Sequence, residues 1–163
     1  MKKVGIVMGS DSDLPVIQKA VTILNELEIP FETHVYSAHR TPEQARAFAA
    51  DAREAGFGVL IAAAGMAAHL AGALAANTTL PVIGIPCKGG VLDGMDALLS
   101  TVQMPTGIPV AAVGVNGGGN AALLAAQILA VEDASLAQRL ADKRAADARK
   151  VLDKDASISD RLA

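Results

Sequence analysis

Short, almost uniformly apolar runs alternate along the chain with stretches whose apolar positions recur every three or four residues. The runs are Val4–Met8, Phe31–Ser37, Val59–Ala64, Pro81–Pro86 and Ile108–Val115. Uniformly apolar strands are those buried on both faces, as in a parallel sheet. Helical spacing follows each of the first two runs. Ile17, Ala20, Val21, Leu24 and Leu27 form one stripe, and Ala45, Phe48, Ala49 and Ala52 form another, with Gly56 and Gly58 bracketing its end. Further helices are expected from about Asp93 to Thr101 and from Ala121 to Val131. Between the third and fourth runs, Met66–Asn77 is apolar all round. A helix there should be buried on every side, and a chain of this size is expected to need a neighbouring subunit to cover one face.

Five apolar strands alternating with helices predict βαβ units and a parallel sheet with helices on both faces. The expected fold class is α/β: a three-layer α/β/α sandwich with the flavodoxin-like strand order 2-1-3-4-5. The chain, residues 1–163, is expected to form a single domain. A last helix, about Ser135 to Lys154, carries many Asp, Lys and Arg and only a thin apolar stripe of Leu136, Leu140 and Val151. That charge pattern alone reads as a solvated closing helix. Pro109, near the start of the fifth run, points to an edge strand or an early strand position. Ligands of such sheets bind beyond the carboxyl ends of the strands, where the order reverses. The turns Gly9–Asp13, Ser37–Arg40 and Gly65–His69 should meet there.

The second of these turns, inside Tyr36-Ser37-Ala38-His39-Arg40-Thr41-Pro42, sets a hydroxyl, an imidazole and a guanidinium within four residues. Thr41 is expected as an N-cap, Pro42 suits the first helical position, and Gln44 would complete a capping box. Free N–H groups at a helix start attract anions, and Arg40 offers a fork-shaped cation suited to phosphate. His39 can exchange a proton near neutral pH. The expectation is a bound anionic small molecule, with His39 moving its proton. A capped turn bearing a surface His and Arg would satisfy the same pattern. Ser10 and Ser12 can donate to phosphate or ribose, and Asp13 can accept from a sugar hydroxyl. Ser12 is also a natural N-cap for the following helix, with Pro15 tolerated in its first turn. His69, alone beside an apolar helix, fits a structural role as well as a binding one. Lys88 either reaches an anion or is solvated. His34 is given no function.

Composition narrows the classes. The net charge is −3, aromatics are 2% of residues, and no Lys/Arg cluster is interleaved with aromatics, so nucleic acid is excluded as a partner. The single cysteine, Cys87, permits no internal disulfide and stands apart from any metal-ligand spacing. No stretch has the length of a membrane span or of a signal-peptide core, which predicts a cytoplasmic protein. The first turn lacks the dinucleotide and Walker spacings, and no G-x-S-x-G elbow is present.

The segments VGIVMGSDSD, YSAHRTP, AGMAAHLAG, QMPTGIPV and NAALLAAQILA, spread in order through nearly the whole chain, resemble the class I N5-carboxyaminoimidazole ribonucleotide mutases, the PurE family. The resemblance implies an octamer with active sites at subunit junctions and the charged C-terminal helix reaching a neighbour. It implies a cofactor-free transfer of a carboxylate from N5 to C4 of aminoimidazole ribonucleotide, with CO2 held between the two steps. Carried over, Ser10, Asp13 and Arg40 would bind the ribose phosphate, with Ser12 and Ser37 assisting. His39 would be the general acid/base. Gly65, Ala67, Ala68, His69 and Leu70 would line the pocket for the imidazole and CO2. Two departures stand out: Met66 and Ala71 replace a Gly and a Pro of the usual AGGAAHLPG, and residues 87–93 differ from common members. Direct carboxylation with CO2 is the rival enzyme reading, although class II relatives are expected to carry Lys in place of Arg40. A carboxylase acting on another nucleotide, and a non-catalytic nucleotide-binding module, are the others.

Overall fold

The computed structural model describes residues 1–162. Five parallel strands form one sheet in the order β2-β1-β3-β4-β5, with β1 at Lys3–Met8, β2 at Phe31–Val35, β3 at Phe57–Gly65, β4 at Val82–Cys87 and β5 at Ala111–Ala112. The central three strands are the uniformly apolar ones. Alternate residues of each serve opposite faces, as the pleat requires. Val4, Ile6, Val59, Ile61, Ile83 and Ile85 pack under α1 (Leu14–Glu26) and α5 (Gly118–Ala130). Val7, Leu60, Ala62 and Val82 pack under α2 (Pro42–Asp51) and α3 (Leu70–Ala75). Each fully buried Ile or Leu contributes about 1.5–3 kcal/mol of transfer free energy, so the sheet centre is where stability concentrates. The three-layer sandwich and its strand order agree with the expectation.

Several elements differ from their predicted form. The long apolar segment after β3 is helical only over Leu70–Ala75, and the chain encloses it without help: Leu70, Ala71, Leu74 and Ala75 are all buried. Its covers are β3, β4, α2 and α4 (Met95–Val102), so no second subunit is needed to hide it. The fifth strand shrinks to two residues. Pro109 lacks an N–H, and only isolated bonds, Val113 N to Gly84 O and Asn116 N to Pro86 O, tether the segment to β4 afterwards. Strand β2 is an edge strand with three of its five residues exposed, not a doubly buried one.

The closing helix α6 runs from Ala134 to Ala156, followed by α7 at Ile158–Leu162. Asp133 caps α6 by accepting from Leu136 N. Leu136 is its only buried residue, and Leu140 is half-buried. Arg139 Nε donates to Leu27 O, and Lys143 pairs with Glu26 at 2.9 Å. The expected stripe fails at Val151, which is 63% exposed. From Asp147 to Ser157 every residue is exposed. Among the described residues no helix is long and apolar enough to cross a membrane.

Candidate active site

A cleft of about 490 Å³ opens at the carboxyl ends of β1 to β4. Each strand contributes the turn that follows it. The first turn supplies Ser10, Ser12 and Asp13. Gly9 N donates to Ala63 O, pinning the turn to the neighbouring strand. Ser10 Oγ then accepts from Ser12 N at 3.3 Å and from Ser12 Oγ at 2.9 Å, closing a 3-10 turn over Asp11–Asp13. Ser12 is therefore not the cap of α1. Asp13 occupies that position and makes no side-chain cap bond, and its carboxylate lines the cleft. Burial raises the Asp13 carboxyl above its ordinary value; a hydrogen bond from the Cys87 thiol opposes the rise. Cys87, buried at the end of β4, has its own thiol pushed up to about 12 by burial and by the Asp13 charge.

The second turn supplies Ser37, His39 and Arg40. Its order comes from Ser37 and Thr41. Ser37 N donates to Thr41 Oγ1 at 2.8 Å, Thr41 Oγ1 donates back to Ser37 O at 3.2 Å, and Thr41 N also donates to Ser37 O at 2.8 Å. Ser37 Oγ accepts from His39 N and Arg40 N. The expected capping box does not form. Thr41 stands at the N-cap of α2, but its hydroxyl is spent on the turn, and Gln44 makes no capping bond among the described residues. The outcome is a rigid backbone carrying two exposed side chains. Neither the His39 ring nor the Arg40 guanidinium makes a side-chain hydrogen bond among the described residues, so both are free for a ligand.

The third turn supplies Gly65, Ala67, His69 and Leu70. Met66, 63% exposed at the cleft, takes a left-handed backbone with φ +55°. That conformation costs a residue with a Cβ about 1 kcal/mol, and it prevents the helix from starting at Met66. Ala68 is the exception among the expected residues: it is 3% exposed, does not line the cleft, and turns its carbonyl toward Thr101 Oγ1 at 3.3 Å. His69 sits at the N-cap position of α3, with its ring directly over Gly72. A Cβ on Gly72 would lie 2.3 Å from His69 Cε1. The ring is thereby held at the cleft wall instead of in the core.

Lys88, Gly89 and Gly90 close the far wall. Lys88, expected either to reach an anion or to be solvated, sits just past the carboxyl end of β4 and lines the cleft. Its backbone N donates to Asn116 Oδ1 at 2.8 Å, and its Nζ lies 3.1 Å from Asp93 Oδ2. Among the described residues, no three His, Cys, Asp or Glu side chains group as a metal site would require.

The chain matches the sequence model described as AIR carboxylase over residues 3–150. It belongs to the AIR carboxylase family. Within that family, the Pyrococcus abyssi protein named N5-carboxyaminoimidazole ribonucleotide mutase is 55% identical over 140 residues, 86% of this chain and 80% of that one. The Thermotoga maritima protein of the same name is 49% identical over 154 residues, 94% of this chain and 90% of that one. The Saccharomyces cerevisiae protein named phosphoribosylaminoimidazole carboxylase is 53% identical over 137 residues, 84% of this chain but 24% of that longer one. The crystal structure of Treponema denticola PurE superposes with a TM-score of 0.84 at 28% identity, covering 94% of this chain and 96% of that one.

Set in this AIR carboxylase fold, the cleft has a clear chemical division. A guanidinium and a ring of hydroxyls lie at the β1 and β2 turns. A small-residue wall with one imidazole lies at β3. An ammonium lies at β4. Such a cleft can hold an elongated anion by its polar end and expose a flat, apolar portion to His39 and His69.

Proposed function

We propose that the chain is an N5-carboxyaminoimidazole ribonucleotide mutase of purine biosynthesis, moving the substrate carboxylate from N5 to C4. The observation that carries the reading is the unpartnered His39 beside Arg40, on a turn that shares one cleft with Ser10 and Asp13. The close relatives' names point the same way. Arg40, Ser10, Ser12 and Ser37 hold the 5′-phosphate, and Asp13 accepts from a ribose hydroxyl. Gly65, Ala67, His69 and Leu70 wall the imidazole and CO2, with Ala68 bracing them from behind.

The chemistry needs one proton carrier. Protonated His39 gives its proton to N5 as the N5–carboxyl bond breaks, and the bonding pair stays on N5. CO2 and aminoimidazole ribonucleotide remain side by side. The enamine carbon C4 attacks CO2, forming the new C–C bond, and neutral His39 removes the C4 proton. His39 ends as it began. Holding both fragments avoids a bimolecular recapture, an advantage worth orders of magnitude. The scheme calls on no metal or cofactor. A homo-octamer with sites at subunit junctions belongs to the same proposal, and the exposed outer half of α6 is the segment that would reach a neighbour.

Direct carboxylation of aminoimidazole ribonucleotide is the second reading, favoured by the yeast relative's name. Against it stands Arg40, where the class II pattern would have Lys. The test is His39→Asn, which keeps size and polarity but cannot carry a proton. Loss of a general acid/base typically costs about 10²–10⁴ in rate. Turnover should fall by at least about 100-fold while the nucleotide still binds. Near-normal turnover in His39→Asn would remove the mechanism.

A further inference from the structure

We propose that Lys88 holds the migrating carboxylate, exchanging its ion pair with Asp93 for the ligand. The inference rests on the mutase reading and adds to it a residue that discriminates carboxylated from uncarboxylated nucleotide. Three observations converge. First, Lys88 follows Cys87, the register partner of Gly65, so it lies alongside the Gly65–Leu70 turn and lines the same cleft. Second, it is at the opposite end from Arg40. The turns carrying the two cations follow β4 and β2, which are separated by β1 and β3. Three strand spacings place those turns about 14 Å apart. A ligand anchored by its phosphate at Arg40 extends its other end toward Lys88.

Third, Lys88 is built to exchange partners. Asn116 Oδ1 holds its backbone N–H, fixing the root of the side chain. The Nζ–Asp93 pair is 58% and 68% exposed, so water competes with it and little is lost when it opens. Asp93 adopts φ +53° and Gly94 φ +98°, a turn that folds the carboxylate back over Lys88. Asp93 thus occupies the ammonium when the cleft is empty and competes with the ligand when it is filled.

The experiment measures binding of two nucleotides, 4-carboxy-5-aminoimidazole ribonucleotide and aminoimidazole ribonucleotide, to the full chain by calorimetry. The variants are Lys88→Met, Asp93→Asn and the double variant. Asn tolerates the left-handed backbone at position 93, and thermal melts verify that each variant is folded. Lys88→Met should weaken the carboxylated nucleotide by about tenfold and leave the uncarboxylated one unchanged, as expected for losing one hydrogen bond to a charged group. Asp93→Asn should tighten the carboxylated nucleotide a few-fold, and only when Lys88 is present. Equal weakening of both nucleotides by Lys88→Met would place Lys88 on the phosphate and overturn the proposal. No change with either nucleotide would leave Lys88 a solvated side chain and overturn it too. Weaker binding in Asp93→Asn would mean that Asp93 positions Lys88 and would overturn the exchange. A native chain that binds neither nucleotide would instead sink the mutase reading itself.

Discussion

Adding one methyl group at Gly118 should damage the cleft from behind. Gly118 opens α5 where that helix crosses α1, and an added Cβ would lie 2.1 Å from the carbonyl oxygen of Val16 and 3.1 Å from its carbonyl carbon. Contacts of a Cβ essentially never fall below 3.0 Å, and the opposing atoms are backbone, so no rotamer can relieve the clash. The start of α1 must retreat by roughly 1 Å, opening the packing around Ile17 and Ala20. Overpacking of this kind costs about 1–3 kcal/mol, which in a domain of this length lowers the melting temperature by about 2–4 °C per kcal/mol. Val16 lies three residues past Asp13, so the same movement displaces the first turn of the cleft. The control sits next door. At Gly119 nothing lies within 4 Å of an added Cβ. There the alanine only reduces backbone freedom in the unfolded chain, and Gly119→Ala should be neutral or stabilise by up to about 1 kcal/mol. Thermal melts and nucleotide binding of both variants provide the assay. Gly118→Ala should melt lower and bind more weakly, and Gly119→Ala should do neither. If the two variants melt together, the α1–α5 contact does not set the site as described.

Two further outcomes follow from the half-buried Asp13 of the cleft and the buried Cys87 beside it. Burial raises the Asp13 carboxyl, so the folded chain holds that proton more tightly than the unfolded one does. Stability contributed by Asp13 is then lost as pH rises from the unfolded value through the folded one, and the penalty is fully present at neutral pH. Asp13→Asn should therefore melt higher than the native chain at pH 7, the gap should close below about pH 3.5, and nucleotide binding should weaken. A lower melting temperature at pH 7 would contradict the direction of that shift. Cys87, buried with its thiol pushed up to about 12, should resist alkylation in the native protein at pH 8 and react only in denaturant. Rapid native labelling, followed by mass spectrometry, would show the strand end to be open.

How much of this was visible in the sequence depended on whether the deciding contact was local. The strands β1, β3 and β4 were legible because an unbroken apolar run has no other stable place than a sheet covered on both faces. Their order then brought three turns to one edge, and with them Ser10, Ser12, Asp13, Ser37, His39, Arg40, Gly65, Ala67, His69 and Leu70 to one cleft. The failures lie where another partner, near in sequence for Thr41 and Ser12 and distant for Ala68, took the place of the expected one. Thr41 fits a capping box by spacing, yet its hydroxyl serves Ser37. Ser12 fits a helix cap, yet bonds Ser10. Ala68 sits among cleft residues in sequence, yet turns inward to Thr101. The α3 helix needed no neighbouring subunit because α2 and α4 supply the cover, a fact that depends on where the sheet carries them. Lys88 was legible only as an anion contact or a solvated side chain, and the register of β4 against β3 is what sets it beside the Gly65–Leu70 turn.

The central claim is that this cleft moves a carboxylate within one bound nucleotide. The most direct test follows absorbance of the purified chain in two cuvettes, one with N5-carboxyaminoimidazole ribonucleotide and one with aminoimidazole ribonucleotide and bicarbonate. A mutase forms the 4-carboxylate rapidly in the first and little in the second. Rapid formation only in the second would make the chain a carboxylase and rule out transfer within one bound nucleotide.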